Sequence, residues 1–462
     1  MQTALVPQAL LEPGDLADNH RMVKWLRVLM LGVVVFAALG ACKYWGKEPN
    51  PAPASDYVMA AVRELGKGNF DEAEDILLRS RERFPDDEVS LRWLAELDLM
   101  RWRDDSALDY LVELTRADRV ETVSYRELKG QIGDLLFRLG KYGESANYLR
   151  AGQVGEAEQQ RKAKAFVTLG LPYVRGDLEI EPTRLRLFGG IWPSMLCTFG
   201  KKDRLCILDT GSSMSAFADS MARDVGVTDM STFGLVSDSL GRKHSASIGI
   251  MPRFAIGGAE FGPIPVLVLD DERLSLRNLS GGPDNPLMGI IGIDVLSRFR
   301  FILDMSQQVA RLERPRELLD RNTEPCLAVE GCLAMPVRVD GVTMWFILDT
   351  AASHSSLTKR GLADLPGGDR RATPDYRSLK SLGESFVSKK VSGVIVQTSA
   401  VKFTGIDFPV VDRVSVGVFP VHGVLGVDLL RHCRMTLDGG RILLEQVASV
   451  PARKKGESRQ PR

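Results

Sequence analysis

Leu205-Cys206-Ile207-Leu208-Asp209-Thr210-Gly211-Ser212-Ser213 is the stretch that decides the fold. Four apolar residues run straight into a carboxylate, the pattern of a buried strand that ends on an acid. A carboxylate there is costly to bury unless the structure needs it. Gly211 permits a backbone bend that a side chain hinders. The pattern returns as Trp345-Phe346-Ile347-Leu348-Asp349-Thr350-Ala351-Ala352-Ser353, and Asp349 lies 140 positions after Asp209. Downstream of the first acid stands Gly289-Ile290-Ile291-Gly292-Ile293-Asp294-Val295-Leu296. Downstream of the second stands Gly423-Val424-Leu425-Gly426-Val427-Asp428-Leu429-Leu430, with Gly426 134 positions after Gly292. Each copy continues to an Arg and a Leu-Asp pair at one spacing, Arg300 with Leu303-Asp304 and Arg434 with Leu437-Asp438. Matching order at nearly constant offset identifies an internal duplication.

Taken as a set, over roughly Ile180 to Val447, these motifs resemble the retropepsin-like branch of the aspartic proteases, here as two short lobes fused in one chain. The resemblance implies two all-β lobes, each supplying one catalytic Asp, Asp209 and Asp349. It implies loop support from Thr210, Gly211 and Ser212 in the first lobe and from Thr350, Ala351 and Ala352 in the second, with the two threonines bracing the loops against each other. Gly292 and Gly426 are the motif glycines of the lobes. Ser237-Asp238-Ser239-Leu240-Gly241 marks the tip of a flap over substrate, and Tyr376 to Lys389 the second flap region. The implied chemistry is peptide hydrolysis by a water held between two acids, with no metal or organic cofactor. The substrate is a polypeptide bound in extended form. One position departs from the family pattern: Ala351 stands where Gly is usual. If that position needs a positive φ, Ala costs about 1 kcal/mol. The departure keeps a second reading open, a non-catalytic scaffold of pseudo-protease lobes and repeats that binds envelope proteins.

Other chemistries have weaker support. The five histidines include no HExxH spacing, which argues against a zinc protease. Ser212 and Ser213 sit in no G-x-S-x-G elbow and are expected to hydrogen-bond around the carboxylate. His354 is read as packed or solvent-facing rather than as a partner of Asp349. Sixty Lys and Arg balance sixty Asp and Glu, so bulk charge does not make this a nucleic-acid binder.

Inside the lobes, Trp192–Phe199 and Arg204–Leu208 read as a hairpin around residues 200–203. With its turn on Lys201-Lys202, Cys197 and Cys206 face each other, and a disulfide is open to them in an oxidising compartment. A one-residue change of register removes it and leaves two buried thiols. Leu333–Val339 and Thr343–Leu348 flank Asp340-Gly341, a two-residue turn signal. Lobe one is assigned to 171–322 and lobe two to 323–449, with a charged bridge at Glu313 to Arg321.

Residues 55–170 read as helical. Gly68-Asn69-Phe70-Asp71-Glu72-Ala73, followed by Leu77 and Pro85, resembles part of a tetratricopeptide repeat. Ala107 lies 34 residues after Ala73, that repeat's period. Arg138-Leu139-Gly140-Lys141-Tyr142 looks like a third copy 38 residues on, with an insertion near 117–122. Such a stack is either a docking groove for a substrate or protein partner, or a rigid stalk. Before it, Arg21, Lys24 and Arg27 precede the apolar run Val28 to Ala41, and Leu39-Gly40-Ala41-Cys42 resembles a bacterial lipobox. Residues 1–42 are therefore read as a leader with a lipoprotein-type signal, or else as an anchor helix of the same topology. A Pro-rich spacer follows at 43–54. Either reading attaches the chain to a membrane in the bacterial cell envelope, facing the periplasm or exterior. Residues 450–462 read as a disordered basic tail. If Cys42 carries lipid, Cys42→Ala abolishes labelling by a radioactive fatty acid and leaves the unprocessed size on a gel; unchanged labelling and size leave the anchor helix.

Overall fold

The computed structural model describes residues 53–447 apart from 116–122, 152–172, 176–182, 185, 189–191, 238–242, 257–258, 275–288, 316–321, 330, 376–377, 381–383, 387–388 and 412–419. Outside the described residues lie the leader and Cys42, nearly all of the spacer, the insertion near 117–122, the first flap tip, most of the charged bridge and the basic tail. The chain divides into two compact units, one up to Ser90 and one from Leu91 onward.

In the first unit, helices Ala54–Lys67 and Phe70–Arg83 pack as a pair. Val58, Ala61 and Leu65 recur at helical spacing and are buried, as are Phe70, Ala73, Ile76 and Leu77. Gly68 ends the first helix at φ 83°, a left-handed cap whose N–H returns to the Glu64 and Leu65 carbonyls. Ala73 has no exposed surface, so its small side chain lets the two backbones approach.

The second unit opens with the rest of helix Glu88–Met100 and continues through helices Asp104–Thr115, Val123–Arg138 and Tyr142–Ala151. Phe70, Asp104 and Tyr142 each begin a helix, so the steps of 34 and 38 residues in the sequence are steps from helix to helix. Leu91, Ala95, Ala107, Leu111, Leu128 and Ile132 share one buried cluster. Gly133 meets Leu149 so closely that a Cβ on it would lie 2.7 Å from the leucine side chain.

These helices are not a separate module beside the lobes. Tyr142, Ala146 and Leu149, a stripe at i, i+4 and i+7, pack in one cluster with Phe233, Ala246, Ile248 and Ile250 of lobe one. The Arg298 guanidinium donates to the Tyr142 hydroxyl at 3.2 Å, and the Trp102 indole donates to the Cys326 carbonyl at 3.0 Å. The apolar stripe of Tyr142–Ala151 thus finds its cover on a β hairpin.

Among the described residues, lobe one is an 11-stranded sheet and lobe two an 8-stranded one. In each, the strand that ends on the acid has a second strand threaded beside it. Gly289–Ile291 runs parallel to Cys206–Leu208 and antiparallel to Ala216–Phe217. Gly423–Leu425 runs parallel to Phe346–Leu348 and antiparallel to Ser356–Leu357. The two lobes close on each other within one chain. A 6-stranded sheet takes strands from both, and Arg300–Asp304 pairs with Cys433–Asp438 so that Phe301 faces Leu437 and Leu303 faces Met435. All four of these side chains are buried.

The second-lobe hairpin forms as expected: Val339 pairs with Val342, and Asp340 and Gly341 take φ 46° and 88°, the two left-handed residues of a two-residue turn. The first-lobe hairpin differs from expectation. Phe199 pairs with Lys202, so the turn is Gly200-Lys201, with Gly200 at φ 61°. Glycine accepts that conformation where lysine does not, and this pulls the turn one residue back. Cys197 therefore faces Arg204, Cys206 faces Met195, and the two cysteines are unbridged, buried thiols in diagonal positions. The two long strands Thr228–Ser237 and Lys243–Met251 pair antiparallel on either side of the segment where the first flap tip was expected. In lobe two, Ser378–Lys380 pairs with Glu384–Phe386 in the second flap region.

Because Leu149 is fully buried between Gly133 and lobe one, Leu149→Ala is expected to destabilise the protein by about 2–5 kcal/mol in chemical denaturation. A loss confined to helical signal, with the β-sheet transition unmoved, contradicts the shared core.

Candidate active site

Asp209 and Asp349 each follow the last residue of a buried strand and are held by the threaded strand beside it. The Asp209 N–H donates to the Ile291 carbonyl at 2.9 Å and the Asp349 N–H to the Leu425 carbonyl at 3.0 Å. The residues after each acid turn back over it. Gly211 N–H donates to Asp209 Oδ1 at 2.8 Å. Ala351 and Ala352 N–H both donate to Asp349 Oδ1 at 2.8 Å.

The two loops meet through their threonines. Thr210 N–H donates to Thr350 Oγ1 at 3.0 Å, and Thr350 N–H to Thr210 Oγ1 at 3.1 Å. Each hydroxyl then donates across the lobe boundary, Thr210 to the Leu348 carbonyl at 2.8 Å and Thr350 to the Leu208 carbonyl at 2.6 Å. Both threonines are fully buried, so every polar atom in this crossing needs its partner. The loops come within contact of each other's acids: a Cβ added to Gly211 would stand 2.7 Å from Asp349 Oδ2.

A further ring of residues fixes each loop from behind. Ser215 donates its N–H and hydroxyl to Asp294 Oδ1, both at 2.9 Å, and its Oγ accepts from Gly292 N–H at 3.0 Å. Ser355, Asp428 and Gly426 repeat the set at 2.8, 2.7 and 2.9 Å. Gly292 and Gly426 are required by close approach. A Cβ on Gly292 would fall 2.8 Å from the Ser212 carbonyl oxygen, and one on Gly426 2.8 Å from that of Ala352. Ser215 and Ser355 were not singled out from sequence, and no role was given to Asp294 and Asp428. The offsets of 140 and 134 that pair the acids and glycines also pair these residues, and that is the signal by which they were findable.

Three local expectations are refined. The Ser212 hydroxyl donates to the Met214 carbonyl at 2.8 Å, so its side chain braces the turn rather than the carboxylate. His354 is exposed, with its Nδ1 2.8 Å from Ser353 Oγ. Ala351 does not take a positive φ, so the methyl group in place of a glycine brings no left-handed backbone strain.

Both acids are nearly out of water, at 5% and 9% exposure. Burial holds the Asp209 carboxyl well above the usual carboxylate range, and the charge of Asp349 pushes the same way against the N–H groups of Gly211 and Ser212. Burial also raises Asp349, opposed by the N–H groups of Ala351 and Ala352. Two carboxyls both raised by burial, the first also by the charge of the second, retain a proton between them. Asp294 behind them is pushed up to about 6 by burial.

A family model described as aspartyl protease matches residues 196–295 and again 335–429, once in each lobe. The two lobes are retropepsin-like aspartic protease lobes. The retropepsin-like region follows a helical region, so the chain joins the two classes of architecture expected from its sequence. Among solved structures, the aspartic proteinase from Irpex lacteus is similar at 11% identity over 59% of this chain and 98% of its own, with a TM-score of 0.38. A retropepsin-like aspartic protease from Rickettsia conorii is similar at 16% identity over 31% of this chain and 94% of its own, with a TM-score of 0.21. Basic 7S globulin from soybean is similar at 9% identity over 59% and 94%, with a TM-score of 0.32. No curated protein matches the chain.

The raised carboxyls carry a stability signature. A folded-state pKa above the unfolded value costs stability as pH rises through the window between the two, and costs nothing below it. Asp209→Asn is therefore expected to melt higher than wild type at pH 7, with the difference vanishing below about pH 3.9. A lower melting temperature for the variant at neutral pH contradicts a buried Asp209 carboxyl raised by burial and by its neighbour's charge.

Proposed function

We propose that the protein is an aspartic endopeptidase with Asp209 and Asp349 as its catalytic residues. The observation that carries this reading is the reciprocal Thr210–Thr350 crossing, which sets two buried carboxyls, each capped by N–H groups of its own loop, on facing turns of one chain.

The mechanism follows from one proton shared by two acids. The ionised carboxylate accepts a proton from a water lying between them as the water oxygen attacks the scissile carbonyl carbon. The protonated carboxyl donates to the carbonyl oxygen, giving a tetrahedral diol. Transfer of a proton to the amide nitrogen then breaks the carbon–nitrogen bond and releases an amine and an acid. No step calls on a metal or an organic cofactor. The substrate is a polypeptide held in extended form below the flap hairpins, where main-chain hydrogen bonds give affinity and alternate side chains give preference.

The helical repeats are read as the part that recruits substrate or a protein partner; the packing of helix Tyr142–Ala151 on strands Thr228–Ser237 and Lys243–Met251 supports this reading. The leader and Cys42 support attachment to a membrane of the bacterial envelope, with the lobes facing the periplasm or exterior. A non-catalytic scaffold was suggested by Ala351, and the absence of left-handed strain there removes that motive.

Asp209→Asn and Asp349→Asn are each expected to lower cleavage of a peptide library by about 10²-fold or more, since neither acid performs the other's task. Ala351→Gly leaves cleavage unchanged, and a chelator does not abolish it. An Asn variant that cuts as well as wild type removes the two-acid mechanism, and a wild type that cuts nothing while binding envelope proteins establishes the scaffold.

A further inference from the structure

Two side chains reach the acid loops from across the lobe boundary. Trp192 opens the strand Trp192–Phe199 of lobe one, and Cys332 opens the strand Cys332–Val339 of lobe two. They are 140 positions apart, the same offset as the two acids. The Trp192 indole Nε1 donates to the Ala351 carbonyl at 2.6 Å. The Cys332 thiol approaches the Gly211 carbonyl at 3.7 Å. The ring of Trp192 is buried, at 4% exposure. Gly331, just before the cysteine, takes φ 78°, and a Cβ on it would stand 2.5 Å from the Ser213 side chain, so the turn lies hard against the first acid loop.

Peptide planarity turns these contacts into electrostatics at the carboxylates. The Ala351 C=O and the Ala352 N–H are opposite ends of one trans peptide unit and point in opposite directions. The Ala352 N–H ends on Asp349 Oδ1 at 2.8 Å. A donor that fixes the carbonyl end therefore fixes and polarises the N–H end aimed at the acid. The Gly211 C=O and Ser212 N–H form the matching unit in lobe one, where the Ser212 N–H favours the Asp209 anion. That unit is held by a thiol, a weak donor, whereas its twin is held by an indole N–H at short range.

We propose that Trp192 and Cys332 are positioning residues that break the symmetry of the duplicated site: the indole secures the peptide unit facing Asp349 and assigns that acid the negative charge, while the thiol leaves Asp209 the proton. The inference rests on the two-acid reading and completes it. Asp349 is the base that takes the proton from water, and Asp209 the acid that donates to the scissile carbonyl. Burial and the neighbouring charge hold Asp209 well above its ordinary range, in the same sense.

The test reads each carboxyl alone. With aspartate labelled by carbon-13 at the side-chain carboxyl, Asp209→Asn isolates the titration of Asp349 by NMR. Adding Trp192→Phe, which keeps a ring but removes the donor, is expected to raise that midpoint by about half a pH unit or more. In the mirror experiment, Asp349→Asn isolates Asp209, and adding Cys332→Ser, a stronger donor, lowers its midpoint. The second pair also serves if Trp192→Phe does not fold by circular dichroism. In cleavage assays, Trp192→Phe alone moves the acidic limb of kcat/KM to higher pH with KM little changed, a shift that lost packing does not produce. Midpoints that stay put in the folded variants overturn this inference while the two-acid reading stands. Full cleavage by either Asn variant overturns the two-acid reading instead, and the NMR midpoints still decide whether Trp192 and Cys332 act on the carboxyls.

Discussion

The structure depends on the crossing of Thr210 and Thr350. Each threonine gives its N–H to the other's hydroxyl and its own hydroxyl hydrogen to a strand carbonyl of the opposite lobe. Four hydrogen bonds in a fully buried place leave no slack: losing one partner strands another polar atom, at a cost of about 1–3 kcal/mol each. The carboxyls of Asp209 and Asp349 sit one residue away, so the spacing of the acids is set by backbone geometry rather than by their own repulsion. The shared sheet of Arg300–Asp304 and Cys433–Asp438 brings the lobes together on the far side of the same cores. The crossing then fixes the two acid loops against each other.

Around that crossing the duplication is close to a two-fold axis in hydrogen bonds but not in side chains. Ser215, Asp294 and Gly292 match Ser355, Asp428 and Gly426 bond for bond. Trp192 and Cys332, and Gly211 and Ala351, occupy matching places with unlike chemistry. A symmetric pair of identical subunits has no means of treating its two acids differently. A fused chain has one sequence for each side, and here the unlike residues fall against the peptide units that face the carboxylates.

The helices belong to the same physical account. Tyr142–Ala151 covers apolar residues of the flap strands, and Arg298 ties its Tyr142 hydroxyl while also donating to the Asp294 carbonyl at 2.7 Å. Asp294 in turn holds Ser215, just beyond the first acid loop. A continuous path of packed and hydrogen-bonded groups therefore runs from that helix to the loop bearing Asp209.

The sequence by itself determined the two lobes and marked the paired Asp and Gly positions on their facing loops, because duplication repeats each constraint. A strand that buries a carboxylate, and a glycine whose Cβ would strike a carbonyl, leave the same mark twice at fixed offsets. It also determined a helical region ahead of the lobes and the Asp340-Gly341 turn, which depend on local spacing and on a φ that few residues accept. One local feature went unread: Gly200 accepts the positive φ that the Gly200-Lys201 turn takes, and this sets Cys197 diagonal to Cys206 rather than opposite it. Tertiary structure alone decided what depends on which surfaces meet. The seat of Tyr142, Ala146 and Leu149 on lobe one was hidden because an apolar helical stripe does not name its partner. The same holds for Trp192 at the Ala351 carbonyl: an indole 159 residues from its acceptor leaves no periodic trace, and only the folded chain brings the two within 2.6 Å.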